Sequence, residues 1–444
     1  MFKTFKIGGV HPDANKLSAT QPIQDAQLPK VAIIPLGQHI GAPANPIVQK
    51  GDTVKVGQLI GEANGFVSAN IHSSVSGTVA KIDVATDVAG FKKPAVYINV
   101  EGDEWLDTID RTDTLVTEIK DDAKTIIGKI KDAGIVGMGG ATFPAHVKLS
   151  IPDDKKADFL IINGVECEPY LTADHRLMLE KSNELIIGIK ILMKAINVEK
   201  AYIGIEANKP DAIEKLTELC KKEQGIEIVP LKLKYPQGGE KQLINAISGR
   251  EVPSGKLPID AGAVVQNVGT AFAVYEAVQK NKPLFERIVT VTGKTVATPS
   301  NFRARIGTPV ADLIVAAGGD LESTGKVISG GPMMGKAMNN LESTMTKGTS
   351  GLLLIEDAEA TRKEAGPCIR CAKCVDACPM GLEPYLLMPY SQRQMWDELE
   401  ALHIMDCIEC GCCLFSCPAN RPLLDYVRLG KNTVGKIIRS RIQK

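Results

Sequence analysis

The chain has 444 residues, of which 44% are apolar, and this length predicts about three domains that each bury a core. Its 52 lysines and arginines balance 52 aspartates and glutamates, so the sequence lacks the basic footprint of a general nucleic-acid-binding protein. Apolar runs such as residues 185–193 are shorter than the ~20 residues of a membrane-spanning helix, and residues 1–10 show no secretory signal. We therefore expect a globular, cytosolic chain without a transmembrane segment.

Residues 30–100 consist of short β runs bounded by turn residues, which predicts strands and not helices. Two segments, 50–58 (Lys-Gly-Asp-Thr-Val-Lys-Val-Gly-Gln) and 76–79 (Ser-Gly-Thr-Val), resemble biotinyl and lipoyl carrier domains. That family modifies a lysine at the central hairpin, whereas residues 62–66 here read Glu-Ala-Asn-Gly-Phe. The resemblance implies a barrel-sandwich hybrid over residues 1–110 with a structural or docking role, and it disfavours an acyl or biotin carrier.

The next part of the chain alternates strand and helix patterns. Strands are predicted over residues 158–163, 201–206 and 226–231, and helices over 124–132, 176–195, 211–222 and 241–247. This order predicts a Rossmann-like parallel sheet over residues 111–285, with ligands bound beyond the carboxyl ends of its strands. Residues 286–355 return to β patterns and resemble a soluble-ligand-binding β-grasp domain.

Residues 134–144 are rich in glycine and read Gly-Ile-Val-Gly-Met-Gly-Gly-Ala-Thr-Phe-Pro, so backbone amides there can approach a phosphate closely. This is not an ordinary dinucleotide fingerprint, because a helix and not a strand precedes it. Polar, glycine-bearing segments also follow a strand at 163–170 and begin helices at 235–240 and 266–270. Helix N-termini attract phosphate through free amides and partial positive charge. Together the four segments predict a cofactor site.

Nine of the 11 cysteines fall within residues 368–417, where the pattern Cys-x2-Cys-x2-Cys-x3-Cys-Pro occurs twice. In this spacing three thiolates bind one cubane and the fourth binds a neighbouring cluster. We assign one [4Fe–4S] cluster to Cys368, Cys371, Cys374 and Cys417, and the other to Cys407, Cys410, Cys413 and Cys378. Disulfides are disfavoured in a long chain without a signal peptide, and zinc ribbons use paired Cys-x2-Cys knuckles. Cys412, Cys167 and Cys220 are predicted to be packing residues.

Three segments resemble the flavin-carrying, NADH-oxidising subunit of respiratory complex I, namely residues 137–149, 163–169 and 235–240. The order of all segments is similar to that of the RnfC family, including Gly-Gly-Pro-Met-Met-Gly at 330–335 and the terminal double-cluster motif. The resemblance covers almost the whole chain. It implies a peripheral, NAD(H)-reacting electron-transfer subunit of a membrane-bound, ion-translocating ferredoxin:NAD oxidoreductase, which binds FMN non-covalently on the cytoplasmic face of the bacterial cell membrane. The implied partners are the other members of the Rnf complex, with ferredoxin reached indirectly through one of them.

The resemblance also implies roles for individual residues. The flavin would be held by Gly137, Gly139, Gly140, Lys148, Asn163, Glu166, Asn267 and Thr270. The nicotinamide nucleotide would contact Phe143, Glu168 and Glu240. No residue is expected to act as an acid or base, because a hydride passes directly between the two rings. Val165 and Gly239 depart from the complex I pattern, which has acidic residues at these positions.

Residues 356–444 complete the predicted organisation as a helical domain that binds two [4Fe–4S] clusters. Residues 428–444 are basic and are expected to be a solvated tail, with docking to a partner or an anionic membrane as the alternative. Two alternative functions stay open. One is the flavin subunit of a soluble NAD-dependent hydrogenase or formate dehydrogenase, and the other is a non-catalytic electron-transfer adaptor that has lost its flavin. Flavin content after gentle purification separates the adaptor from the others.

Overall fold

The computed structural model describes residues 2–442, which form four sheets and a helical C-terminal region. The first strand, β1 (Ile23–Asp25), lies outside the barrel. The barrel strands are β2 (Val31–Pro35), β3 (Asn45–Pro46), β4 (Thr53–Val54), β5 (Leu59–Glu62), β6 (Ile71–His72), β7 (Gly77–Thr86) and β8 (Lys92–Val100). They form two antiparallel sheets, in the orders β2-β8-β7-β4 and β3-β5-β6. Fully buried Ile34, Ile60 and Ile98 belong to their shared core, so the predicted barrel-sandwich hybrid is confirmed.

A Rossmann-like unit follows the barrel. Its elements are α1 (Ala123–Asp132), α2 (Ala145–Leu149), β9 (Phe159–Asn163), α3 (Ala173–Glu180), α4 (Ser182–Ala195), β10 (Ala201–Glu206), α5 (Pro210–Cys220), β11 (Ile226–Leu231), α6 (Glu240–Ser248), a 3-10 helix (Pro258–Ala261), β12 (Ala263–Asn267) and α7 (Val268–Lys280). The sheet order is β11-β10-β9-β12, and all pairs are parallel. The strand order reverses between β9 and β12, where open α/β sheets bind their ligands.

The two faces of this sheet bury alternate residues of the same strands. Leu160 and Ile162 belong to the core that includes α4 and α7, whereas Ile161 packs on the opposite side with residues of α6 and with Phe5. The predicted single helix over 176–195 is two helices, because the backbone leaves the helical conformation at Lys181. The hydroxyl of the next residue, a serine, donates to a carbonyl of the preceding helix instead, which is a local alternative that serines offer to the helical ladder.

A mixed six-stranded sheet forms the third unit. Its elements are β13 (Glu286–Gly293), β14 (Ser300–Arg305), α8 (Val310–Ala316), β15 (Thr324–Ser329), β16 (Lys336–Ala337) and β17 (Gly351–Glu356). The strand order is β1-β14-β13-β17-β15-β16. The first strand of the chain therefore closes one edge of this sheet, with Ile23 opposite Asn301.

Residues 2–25, which we call the N-terminal segment, cross three other parts of the protein. Lys3 is bridged to Leu231 and Val10 to Tyr235, next to the sheet of the Rossmann-like unit. The amide of Gly9 donates to the carbonyl of Ala377 in the C-terminal region, at 2.9 Å. The N-terminal segment thus fastens the regions that follow it to one another.

Helices make up the C-terminal region, and the last of them is the longest. They are α9 (Asp357–Ala360), α10 (Lys373–Asp376), α11 (Pro384–Gln392), α12 (Trp396–Ala401), a 3-10 helix (Ile404–Asp406), α13 (Cys412–Phe415) and α14 (Leu423–Ile442). None of the helices within residues 2–442 combines the length and apolar character needed to cross a bilayer.

The basic tail is only partly solvated, because Lys436, Arg439 and Arg441 are exposed whereas Arg428 and Lys431 are half-buried. These residues belong to α14, and Arg428 and Lys431 both form ion pairs with Glu409, at 3.2 Å. Near the end of the helix, Arg441 pairs with acidic residues of α12. Lys444 lies outside the described residues. The internal pairing arises because α14 packs along α11 and α12, which carry or flank the complementary charges.

Candidate functional site

The glycine-rich loop lies over the adjoining ends of β9 and β12, where the sheet order reverses. Asn163 and Asn267, the last residues of these strands, are paired in register. The amide of Met138 donates to the hydroxyl of Thr270 at 3.0 Å. A Cβ on Gly139 would lie 2.9 Å from Nδ2 of Asn267, so only glycine leaves room for this side chain. The structure therefore brings four groups predicted for the flavin site together.

The outer part of the loop is open. The amide of Gly137 donates to the carbonyl of Phe143 at 2.9 Å and closes the loop at its base. Gly139 and Gly140 are exposed, and a Cβ on Gly140 would have no neighbour within 4 Å. The loop thus combines a fixed base with exposed backbone, which is the arrangement that fits a phosphate-bearing cofactor.

Lys148 and Glu240 form an ion pair beside this loop. Their Nζ and Oε1 atoms are 2.5 Å apart, and Nζ also donates to the carbonyl of Val265 at 3.2 Å. Lys148 lies on α2, and Glu240 is the first residue of α6. Both side chains are partly exposed. An anionic ligand at Lys148 would therefore compete with the carboxylate of Glu240.

The two strand-end asparagines fix their surroundings. Asn163 donates to the carbonyl of Gly238 at 2.8 Å, which links β9 to the 235–240 segment. Asn267 accepts from the amide of Gly269 at 2.7 Å and caps α7, while its amide donates to Asp174 at 2.7 Å. Burial, reinforced by the nearby charge of Glu166, raises the pKa of Asp174. The floor of the site is thus a connected polar network.

The two predicted carboxylates that follow β9 are already engaged with backbone amides. Glu166 accepts from the amides of Asp174 and His175, at 2.7 and 3.2 Å, and so caps α3. Glu168 accepts from the amides of Met333 and Met334, at 3.1 and 2.7 Å. Burial raises the pKa of Glu168 against the effect of these bonds. Glu168 therefore joins the Rossmann-like unit to the Gly-Gly-Pro-Met-Met-Gly segment.

Two lysines that sequence reasoning missed, one half-buried and one buried, hold the same loop from below. Lys16 donates to the carbonyls of Glu166, Glu168 and Leu171, at 2.8, 2.9 and 2.6 Å. Burial, with repulsion from Lys209, lowers the pKa of Lys16 to about 8. No local pattern signals this contact, because Lys16 lies about 150 residues before the loop that it binds.

The second lysine, Lys209, contacts the backbone of Val165, whose side chain departs from the complex I pattern. Lys209 donates to the carbonyl of Val165 at 2.8 Å. The Val165 side chain is fully buried in the apolar core against α6. An aspartate there would be desolvated without a partner, so valine suits this packing.

One of the two predicted cysteine sets surrounds a cavity. The cavity is lined by the four predicted ligands Cys378, Cys407, Cys410 and Cys413, and also by Cys412 and by apolar residues. Burial raises the pKa of Cys407 to about 11, and burial and the neighbouring thiols raise the pKa of Cys413. Thiols that are crowded and buried in this way lose their protons only when a metal centre compensates the charge of the thiolates. The donor set and the cavity fit a [4Fe–4S] cluster.

The other predicted set lies nearer the surface. Cys374 packs with Cys413 and Cys417 in one cluster of residues, and burial raises its pKa, with smaller effects from Cys417 and Cys368. Cys368 and Cys371 are exposed. Because the same group of residues contains Cys413 of the other set, the assignment of ligands to the two clusters stays a prediction.

The loops of the buried set lie against the Rossmann-like unit. The hydroxyl of Tyr235 donates to the carbonyl of Cys410 at 2.8 Å. The side-chain amide of Gln242 donates to the carbonyl of Pro379 at 3.2 Å. Cys412 is fully buried in the same apolar cluster as Tyr235, as its predicted packing role requires. The buried cysteine set is therefore the one adjoining the glycine-loop unit.

The two isolated cysteines differ in their surroundings. Cys220 is buried at the end of α5. Cys167 packs beside Tyr235 and Cys410 and accepts from the amide of Gly238 at 3.4 Å. It therefore lies between the polar floor of the site and the cysteine loops.

Four family models match successive parts of the chain. They describe an RnfC barrel sandwich hybrid domain over residues 3–103, a Nuo51 FMN-binding domain over 130–276, an SLBB domain over 288–337 and a 4Fe-4S dicluster domain over 367–421. A curated relative, from the proton-translocating ferredoxin:NAD(+) oxidoreductase complex of Clostridium ljungdahlii, is 48% identical over 97% of this chain and 94% of its own length. The chain belongs to the RnfC family.

Other members of the RnfC family are also similar to this chain over most of its length. The corresponding protein of the Na(+)-translocating complex of Acetobacterium woodii is 48% identical over 97% of each chain. Its counterpart in the ion-translocating oxidoreductase complex of Rhodobacter capsulatus is 42% identical over 87% of this chain and 75% of its own length. A crystal structure of an NAD+-reducing [NiFe]-hydrogenase matches with 20% identity and a TM-score of 0.48, over 70% of this chain and 63% of that one.

Membership of the RnfC family confirms the resemblance seen in the sequence, and the Nuo51 match confirms the relation to the flavin-carrying part of complex I. The predicted fold, with its barrel, Rossmann-like, β-grasp and double-cluster parts, is confirmed by the four models. The FMN-binding and dicluster models likewise support the predicted cofactors, FMN and two [4Fe–4S] clusters.

Proposed function

We propose that this chain is the NAD(H)-reacting electron-transfer subunit of an ion-translocating ferredoxin:NAD oxidoreductase. One observation supports this most directly. The glycine-loop site and the buried cysteine set are joined within one chain by the hydrogen bond from Tyr235 to the carbonyl of Cys410. The names of the curated relatives describe the same activity.

The chemistry of NADH and of the iron–sulfur clusters requires a flavin between them. NADH transfers two electrons as a hydride, and an iron–sulfur cluster transfers one electron at a time. FMN supplies the conversion between these two kinds of transfer. The role of the protein is to hold the reacting groups in position and to exclude competing reactions.

We assign the flavin contacts to the residues that the structure gathers around the glycine loop. These are Gly137, Gly139, Gly140, Lys148, Asn163, Asn267 and Thr270. Lys148, once released from Glu240, would neutralise a phosphate. Glu166 acts through the helix that it caps. Phe143, Glu168 and Glu240 are proposed to contact the nicotinamide nucleotide.

We further propose the order of the two clusters. The buried set, with Cys378, adjoins the flavin unit, so its cluster exchanges electrons with the flavin. The set that contains exposed Cys368 and Cys371 then faces the redox partner. We also propose that the chain lies at the cytoplasmic face of the bacterial cell membrane, attached through partner proteins, with ferredoxin reached indirectly. The proposed domains are residues 1–110, 111–285, 286–355 and 356–444, with the N-terminal segment crossing the later three.

Anaerobic purification with joint quantification of flavin and iron tests the proposal. We expect about one FMN and about eight iron atoms per chain, with bleaching of the flavin absorbance when NADH is added. Eight iron atoms without flavin, even after reconstitution with FMN, would identify an electron-transfer adaptor instead. A bound flavin that NADH does not bleach would move the nucleotide chemistry to another protein of the complex.

A further inference from the structure

Two buried cations lie behind the glycine loop. Arg287, at the start of β13, is 8% exposed, and Lys347, before β17, is 1% exposed. Both belong to the β-grasp part of the chain. Their side chains nevertheless donate to backbone carbonyls of the glycine loop in the neighbouring unit.

Lys347 joins three units at one atom. Its Nζ donates to the carbonyl of Asn70 in the barrel and to that of Gly134 at the start of the glycine-rich stretch, both at 2.7 Å. Its backbone amide donates to the side chain of Gln38, at 2.9 Å. The beginning of the glycine-rich stretch is therefore fixed from behind.

Arg287 extends this support to the middle of the loop. One guanidinium nitrogen donates to the carbonyl of Lys347 at 2.6 Å, and the other approaches the carbonyl of Met138 at 3.4 Å. Further along, a Cβ on Gly348 would lie 2.7 Å from the Thr142 side chain. Arg287 and the segment around Lys347 together lie against the loop at its start, at its middle and near Thr142.

Neither cation forms an ion pair with a carboxylate among residues 2–442, although Asp174 is near enough to Arg287 to favour its charged form. Another buried lysine of the chain is paired, since Lys282 contacts Glu276 and Glu286, at 2.5 and 2.7 Å. A buried charge without a direct partner costs stability. Its field in a low-dielectric interior also acts over a longer distance than in water. Arg287 therefore brings positive charge to the base of the glycine loop, while Lys347 acts there as a hydrogen-bond donor.

We propose that Lys347 and Arg287 are positioning residues for the flavin, which hold carbonyls of the glycine loop from behind and so keep its exposed backbone in place for the phosphate group of FMN. This inference rests on the proposed function. It assigns to the β-grasp part of the chain a role in cofactor affinity that the FMN-binding match, over residues 130–276, does not contain.

The test compares the affinities of FMN and riboflavin, which lacks the phosphate, for the full-length protein after its flavin is removed. Quenching of flavin fluorescence gives both dissociation constants for the wild type, Lys347→Met and Arg287→Gln. We expect FMN to bind on the order of tenfold more weakly to each variant, while the affinity for riboflavin stays close to that of the wild type. Lys282→Met, which removes a buried but paired lysine, serves as the control and should leave both affinities unchanged.

Three results would overturn the proposal. These are an unchanged FMN affinity in both variants, an equal loss for FMN and riboflavin, or the same loss in Lys282→Met. Iron content and the thermal unfolding midpoint show which variants are folded. Arg287→Gln keeps donors for the carbonyl of Lys347, so it carries the test if Lys347→Met does not fold. A wild type that binds no FMN would instead refute the proposed function.

Discussion

The Tyr235 hydroxyl donates a 2.8 Å hydrogen bond to the carbonyl oxygen of Cys410, which connects the Rossmann-like unit to a proposed cluster ligand. Tyr235→Phe keeps the buried ring and leaves this carbonyl without its donor, at a cost of about 1–3 kcal/mol. Hydrogen bonds and dipoles around a cluster favour its reduced, more negative state. We therefore expect a lower reduction potential for the adjoining cluster.

An anaerobic redox titration followed by electron paramagnetic resonance measures this change. Tyr202→Phe is the matched control, because Tyr202 packs against Phe159 away from the cysteines. Equal potentials in the wild type and Tyr235→Phe would show that the bond only fastens the two units together.

Substitutions of Lys148 and Glu240 should change the retention of FMN in opposite directions. Lys148→Ala removes the cation available to the flavin phosphate and should weaken FMN retention, on the order of tenfold. Glu240→Gln removes the competing carboxylate and should strengthen it. Flavin content after gel filtration and the dissociation constant of FMN report both effects. Lys129→Ala, which breaks a comparable ion pair with Asp121, should change neither quantity, and a loss of FMN in Glu240→Gln would contradict the competition.

Cys410 and Cys412 are close in sequence but are assigned different roles. Cys410→Ala removes a proposed ligand, so we expect the loss of roughly four of eight iron atoms per chain. Cys412→Ala removes a packed thiol and should keep the full iron content, with a modest loss of stability. Iron analysis and the absorbance near the cluster bands distinguish the two variants. Full iron content in Cys410→Ala would show that the ligand set is different.

Burial of the Lys347 amine should make the stability of the protein against unfolding depend on pH. Burial lowers its pKa from the ordinary 10.5 to about 7, so between these values the folded chain binds fewer protons at this site than the unfolded chain. Stability from this group therefore rises with pH across that range. In flavin-free protein, the unfolding midpoint of the wild type should increase relative to that of Lys347→Met between pH 7 and pH 10. Parallel pH profiles of the two midpoints would exclude the lowered pKa.

Local signals in the sequence were enough to locate three of the four strands of the Rossmann-like sheet, and β10 (Ala201–Glu206) and β11 (Ile226–Leu231) have the predicted bounds. The fourth strand, β12 (Ala263–Asn267), was not predicted. The cysteine sets followed from a repeat whose spacing reflects the geometry of a cluster. Asn163 lay where a parallel sheet presents its ligand, whereas Asn267 was predicted only at the start of a helix. These features depend on nearby residues or on a general rule of topology.

The contacts of Lys16, Arg287 and Lys347 could not be predicted in the same way. Each donates to backbone carbonyls of another unit, and a carbonyl has no sequence signature. The engagement of Glu168 with the 330–335 segment was missed for the same reason, because its partners are amides about 165 residues away. The sequence shows which residues carry chemistry, whereas their partners depend on how the units are packed.

The N-terminal segment affects the order in which the protein is completed during synthesis. It is synthesised well before its partners, which include Leu231, Tyr235 and Asn301. Domains generally fold as units from the N-terminus during translation, and long-range pairing is slow. The barrel can therefore form while the residues before it wait unpaired, and they dock only when the rest of the chain has emerged.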